Sequence, residues 1–115
     1  MLPQVAEMKV ELQALNEKLQ EPPVGPMKVF AKPEGAYVEF HYRPTGRETF
    51  VQKIRAVATE SGYTPSAERV DPVVVLVMCS PKTRHRSLYV AQSRDGGVSV
   101  AIDMSRPPLL NSPAC

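Results

Sequence analysis

The sequence predicts an α+β fold: an N-terminal amphipathic helix, then a β-β-α-β-β-β layer with one main helix on a mixed or antiparallel sheet. Three observations predict it. Residues 36–42 alternate between apolar and polar, residues 50–58 carry apolar side chains at helical spacing, and residues 73–79 form an unbroken apolar run. A period of two is typical of a half-buried strand, whereas spacings of three and four are typical of a helix.

Composition favours one domain with appendages. The chain has 115 residues, 43% of them hydrophobic, and eleven of its twelve prolines fall between the periodic segments. A formal net charge of +2 does not indicate a general nucleic-acid binder. The predicted organisation is a coiled-coil-like helix over 1–20, a Pro-rich linker over 21–26, a small α+β domain over 27–104 and a disordered tail over 105–115.

The first helix carries one apolar seam with alternating spacings of three and four. The seam spans about two heptads, whereas sustained coiled coils show ~3–4. Two interpretations therefore stay open: the seam joins two copies of the chain, or it packs on the protein's own sheet. The seam, which is the candidate for self-association, consists of Val5, Met8, Leu12, Leu15 and Leu19.

A hairpin is predicted after the linker. Residues 28–31 read as a strand, residues 32–35 as a turn, and residues 36–42 as a second strand. In that second strand the apolar face holds Val38, Phe40 and Tyr42, and the opposite face holds Tyr37, Glu39 and His41. We interpret His41 as an ordinary surface histidine.

The main helix has signals at both ends. Thr45 and Glu48 have the spacing of a capping box, in which each side chain bonds the other residue's backbone N–H. Gly62 stands where a residue in the left-handed conformation ends a helix, and residues 62–66 are expected to form a loop.

The apolar run at 73–79 is expected to be the central strand, because a strand buried on both faces has no polar alternation. Two interpretations remain for residues 84–93. The favoured one is a strand joined to a final strand at 98–102 by a hairpin turn at 94–97. The other is a helix that crosses over to a parallel strand.

The tail after residue 104 contains three prolines and a Leu109–Leu110 pair, so it is expected to be disordered or to act as a docking peptide. Cys79 and Cys115 could pair only if this tail folded back over the sheet. With two cysteines and no span of ~18 apolar residues, an intracellular, cytoplasmic protein without a transmembrane segment is expected.

The loop after the apolar run is the candidate anion- or partner-binding site, formed by Lys82, Arg84, His85 and Arg86. Its alternative role is to keep the neighbouring strands soluble. A thiol before basic residues invites comparison with cysteine phosphatases, which place five residues between cysteine and arginine. Here four residues separate Cys79 from Arg84 and six separate it from Arg86.

No metal, cofactor or catalytic residue is predicted. His41 and His85 lie on separate elements without the spacing of metal ligands. Strand 28–31 or strand 98–102 is a candidate sheet edge that could accept a partner strand.

We therefore predict a small non-enzymatic interaction or adaptor domain. It self-associates or docks through its N-terminal helix and offers the basic loop to an acidic protein partner. A module that binds nucleic acid or another polyanion is the first alternative. A cysteine-dependent phosphatase-like enzyme is the less favoured one.

Overall fold

A computed structural model describes residues 3–32, 35–66, 72–83 and 85–105. It contains two helices and a six-stranded antiparallel sheet, so the predicted α+β class is confirmed. In chain order the elements are α1 Pro3–Leu19, β1 Lys28–Lys32, β2 Gly35–Tyr42, α2 Arg47–Glu60, β3 Thr64–Pro65, β4 Val74–Cys79, β5 Arg86–Gln92 and β6 Val98–Ser105. No helix in these described ranges is long and apolar enough to cross a membrane.

The strands lie in the order β1-β2-β6-β5-β4-β3, which corrects two predictions. The apolar run forms β4, which lies beside the short edge strand β3 and not at the centre. The predicted loop at 62–66 contains β3, where Thr64 pairs with Cys79. Leu76, Val77 and Met78 are buried in succession. The prediction of burial on both faces is therefore correct for residues 76–78 but wrong for Val73, which is 58% exposed. Burial also does not specify which strands are neighbours.

The strand interpretation of residues 84–93 is confirmed, because β5 pairs antiparallel with β6. The connecting turn closes with a hydrogen bond from the Ser93 N–H to the Gly97 carbonyl at 2.9 Å. The Asp95 carboxylate accepts bonds from Ser93 and from the Gly97 N–H, which lowers the pKa of Asp95.

Strand β2 shows the predicted alternation, with each second residue buried. Val38, Phe40 and Tyr42 belong to the core, and His41 lies half-buried on the opposite face with its Nδ1 3.1 Å from Ser99 Oγ. The face of β2 that carries Val38, Phe40 and Tyr42 is therefore the face on which the helices pack.

Helix α1 packs on the core face of the sheet. All five residues of the apolar seam are at most 4% exposed, so the second interpretation of the seam describes this structure. The Tyr42 hydroxyl donates to Asn16 Oδ1 at 2.6 Å. Burial, assisted by the charge of Glu21, raises the pKa of Tyr42, so this group stays a neutral donor.

Helix α2 begins one residue later than predicted. Gly46 occupies the N-cap position and none of the described side chains caps it, so the capping box of Thr45 and Glu48 is wrong. The C-terminal prediction is confirmed, because Gly62 has φ +95°. Gly62 N–H bonds the Thr59 carbonyl and Tyr63 N–H bonds the Ala58 carbonyl, each at 3.0 Å, which is a Schellman motif.

Predictions about the tail, including Leu109–Leu110 and Cys115, lie outside the described residues. The last described strand, β6, runs to Ser105 and therefore one residue beyond the predicted domain end.

We expect Gly62→Ala to destabilise the fold by about 1–2 kcal/mol, because the left-handed backbone is unfavourable for alanine. A Cβ there would also lie 3.1 Å from Pro81 Cγ. Gly62→Asn introduces the same Cβ but tolerates this backbone better, so it should cost less. Urea unfolding of the three proteins measures both effects. Equal stability of Gly62→Ala and the unmodified chain would contradict the assignment.

Candidate functional site

The loop between β4 and β5 is closed by its own backbone. Ser80 N–H donates to the Arg86 carbonyl at 3.1 Å, and the Ser80 hydroxyl accepts from Lys82 N–H at 3.1 Å. His85 has φ +65°, a left-handed conformation that is uncommon for a residue other than glycine. The chain therefore reverses sharply just before Arg86.

The three described residues of the predicted basic cluster differ in exposure. Lys82 is exposed and His85 is half-buried, whereas Arg86 is only 2% exposed. Arg84 lies outside the described residues. Arg86 therefore does not contribute to an exposed positive patch.

Strand alternation explains why Arg86 points inward. Leu88 and Val90 face the core from β5, and Arg86 precedes them at the same two-residue spacing. Its register partner on β6 is Met104, which packs against the edge of the core. Arg86 therefore lies at one end of the sheet on the face that the helices cover.

A carboxylate from α1 compensates the buried charge. Glu11 Oε2 accepts from Arg86 Nη1 at 3.0 Å, and the two side chains are 9% and 2% exposed. Glu11 Oε1 accepts from the Tyr63 hydroxyl and from Ser80 Oγ. One carboxylate thus joins α1 to the end of α2, the end of β4 and the start of β5.

These contacts involve residues that the sequence analysis missed: Glu11, Tyr63 and Ser80. A signal for Glu11 existed, because it follows Met8 by three residues and precedes Leu15 by four, which places it beside the apolar seam. Arg86 had a comparable signal in its spacing from Leu88. No local pattern joins the two, since they are 75 residues apart.

A groove of about 480 Å³ lies between α1 and the loop. Ala6, Val10 and Ala14 form the α1 side, Pro81 and Lys82 line the loop side, and the buried Arg86 also lines it. Arg86 Nε is buried and has no hydrogen-bond partner among the described residues. His85 Nδ1 is also buried without a hydrogen-bond partner among the described residues.

The outer edge of the sheet is a second exposed feature. Strand β1 pairs with β2 on one side and with no other strand of the described sheet on the other. Val29 and Phe30 are 39% and 41% exposed. The Phe30 ring stacks on Tyr37, with ring centroids 4.5 Å apart. Residues 28–31 therefore form an edge strand, whereas 98–102 lie at the centre.

Cys79 is disulfide-bonded, so its sulfur is not the thiolate that nucleophilic attack requires. Within the ranges that the structure describes, no group of three or more His, Cys, Asp or Glu side chains is arranged to hold a metal ion.

No protein-family model, curated protein or solved structure matches this chain. Its function therefore has to follow from the geometry of the described residues.

Replacing one partner of the buried ion pair should be far more costly than replacing both. We expect Glu11→Gln to destabilise the fold by about 3–5 kcal/mol, because it leaves the Arg86 charge buried without a counter-ion. The double variant Glu11→Leu with Arg86→Met should lie close to the unmodified chain, since two apolar side chains need no compensation. Urea unfolding provides the free energies.

The exposed pair of Arg43 and Asp95 is the matched control. Its N–O distance is 2.9 Å, but its side chains are 60% and 48% exposed, so Arg43→Met should cost less than about 1 kcal/mol. If Glu11→Gln cost no more than Arg43→Met, the Glu11–Arg86 pair would not be the buried contact described here.

Proposed function

We propose that the chain is a non-enzymatic protein-interaction domain that adds an extended, acidic segment of a partner protein to its sheet along β1. The observation that supports this function best is the unpaired edge of β1 with its exposed Val29 and Phe30. An edge strand turns alternate backbone N–H and C=O groups outward, and a partner strand satisfies them without a catalytic residue or a closed pocket.

The lysines of β1 favour an acidic partner strand over a second copy of this chain. If two β1 strands paired antiparallel around Phe30, Lys28 of each copy would lie opposite Lys32 of the other. Like charges directly opposite each other destabilise a strand pair. Acidic residues at the same positions of a partner strand would be attracted, with an apolar residue between them beside Phe30. The lysines therefore select against self-pairing and for an acidic segment.

The basic loop lies at the same end of the sheet as the C-terminal end of β1. Ala31, Ala36, Met104 and Arg86 are successive register partners across β1, β2, β6 and β5. Three strand spacings correspond to about 14 Å. Lys82 is exposed in this loop, so a partner that turns across this end of the sheet after β1 would reach a further positive charge.

The other candidate functions need features that the described residues do not favour. A nucleic-acid module would use Arg86, whose charge Glu11 already compensates. Self-association through the apolar seam would require α1 to leave the sheet, because the seam is buried in the core. A phosphatase-like reaction would require reduced Cys79.

The test is a titration of the isotope-labelled chain with a blocked synthetic peptide that repeats glutamate, threonine, valine and threonine, followed by backbone amide NMR. One face of this peptide as a strand alternates glutamate with valine, which matches Lys28, Phe30 and Lys32. We expect the signals of residues 28–31 to shift and their hydrogen exchange to slow, because partner-strand bonds protect them. The same peptide with lysine in place of each glutamate should bind more weakly. An acidic peptide with methylated alternate amide nitrogens should not bind, because it cannot pair as a strand.

The matched variants are Lys28→Glu on β1 and Lys53→Glu on the exposed side of α2, which make the same charge change. Lys28→Glu should weaken acidic-peptide binding, whereas Lys53→Glu should have little effect. Equal binding of the methylated peptide, or equal effects of the two variants, would overturn strand addition at β1.

A further inference from the structure

We propose that the groove between α1 and the β4–β5 loop binds a small organic carboxylate with an apolar body. This site is separate from the β1 edge and does not depend on partner binding there. Its volume of about 480 Å³ lies within the range of ~300–1,000 Å³ typical of small-molecule sites.

The walls of the groove match an apolar body. Ala6, Val10, Ala14 and Leu15 line it from α1, and Pro81 lines it from the loop. Val10 is 71% exposed, although it belongs to a helix whose other large apolar residues are buried. An alkyl or aryl group in the groove would cover this side chain and remove its apolar surface from water.

The polar groups of the groove need an acceptor. Arg86 is 2% exposed and its Nε donor has no acceptor within the described structure. Glu11 does not supply one, since its Oε2 accepts from Arg86 Nη1 and its Oε1 accepts from Tyr63 and Ser80. A buried donor without an acceptor is unfavourable, and a ligand oxygen would satisfy it. Lys82 adds an ammonium group on the loop side.

The charges of the lining disfavour a multiply charged anion. Glu11 compensates Arg86, and Glu7 lines the same groove as Lys82, so the four charges of the lining sum to zero. A phosphate dianion would face the repulsion of two carboxylates with only Lys82 and one Arg86 donor to offset it. A single carboxylate bonded to Arg86 Nε and Lys82 forms charge-assisted hydrogen bonds and leaves the apolar body on α1.

The experiment compares octanoate, octanol, octylamine and inorganic phosphate by backbone amide NMR of the full chain. Octanoate should shift the signals of residues 6–14 and of the 80–86 loop. Octanol should bind at least about tenfold more weakly, because it lacks the charge-assisted bond. Octylamine and phosphate should leave these signals in place. Equal binding of octanoate and octanol, or octanoate shifts elsewhere in the chain, would overturn the assignment.

Two variants and one control test the site. Ala14→Phe fills the groove from an exposed helix position and should abolish octanoate binding, whereas Ala56→Phe, an exposed position on α2, should preserve it. Arg86→Lys keeps a positive partner for Glu11 but removes the Nε donor, so octanoate should bind at least about tenfold more weakly. Circular dichroism checks the fold, and if Arg86→Lys unfolds, the Ala14→Phe comparison decides.

If Ala14→Phe still bound octanoate, the assignment of the binding site to this groove would be overturned. Peptide addition at β1 should be unchanged in Ala14→Phe, so failure of the carboxylate site and failure of the strand-addition function give different results.

Discussion

The buried contact of α1 with the sheet, made by its apolar seam and by the ion pair between Glu11 and Arg86, is the constraint on which the arrangement of this chain depends. Both side chains are almost completely buried, and a buried charge is tolerated only when a counter-ion and further hydrogen bonds compensate it. Tyr63 and Ser80 complete the set of donors around the carboxylate. Because these residues come from α1, the end of α2 and both sides of the β4–β5 loop, only one placement of α1 on the sheet satisfies all of them.

That placement accounts for the surfaces on which the functional proposals rest. With α1 held on the sheet, the seam from Val5 to Leu19 becomes part of the core, and the side of the helix that carries Ala6, Val10 and Ala14 faces the loop across the groove. Arg86 points inward, so Lys82 is the exposed cation among the described residues of the basic cluster. The edge strand β1 lies three strands away and stays open, so peptide addition and ligand binding use separate surfaces.

Local sequence patterns predicted the individual helices, strands and turns better than they predicted which strands lie side by side. The alternation of β2, the hairpin turn at 94–97 and the left-handed Gly62 were predictable, because each depends on residues close in sequence. The place of β4 was not, since an apolar run reports burial without naming the strands beside it. The candidate site was predicted only in part: adjacent basic residues suggested one exposed patch, but strand alternation turns Arg86 inward, and its partner Glu11 lies 75 residues earlier.

Native-state hydrogen exchange followed residue by residue tests the central claim most directly. If the buried pair makes α1 part of the same cooperative core, the amides of Leu12 and Leu15 should exchange with the same opening free energy as those of Val100 and Ile102 in β6. That free energy should match global unfolding. Exchange of the α1 amides at a clearly lower free energy, with β6 still protected, would show that the helix undocks alone and would contradict the account.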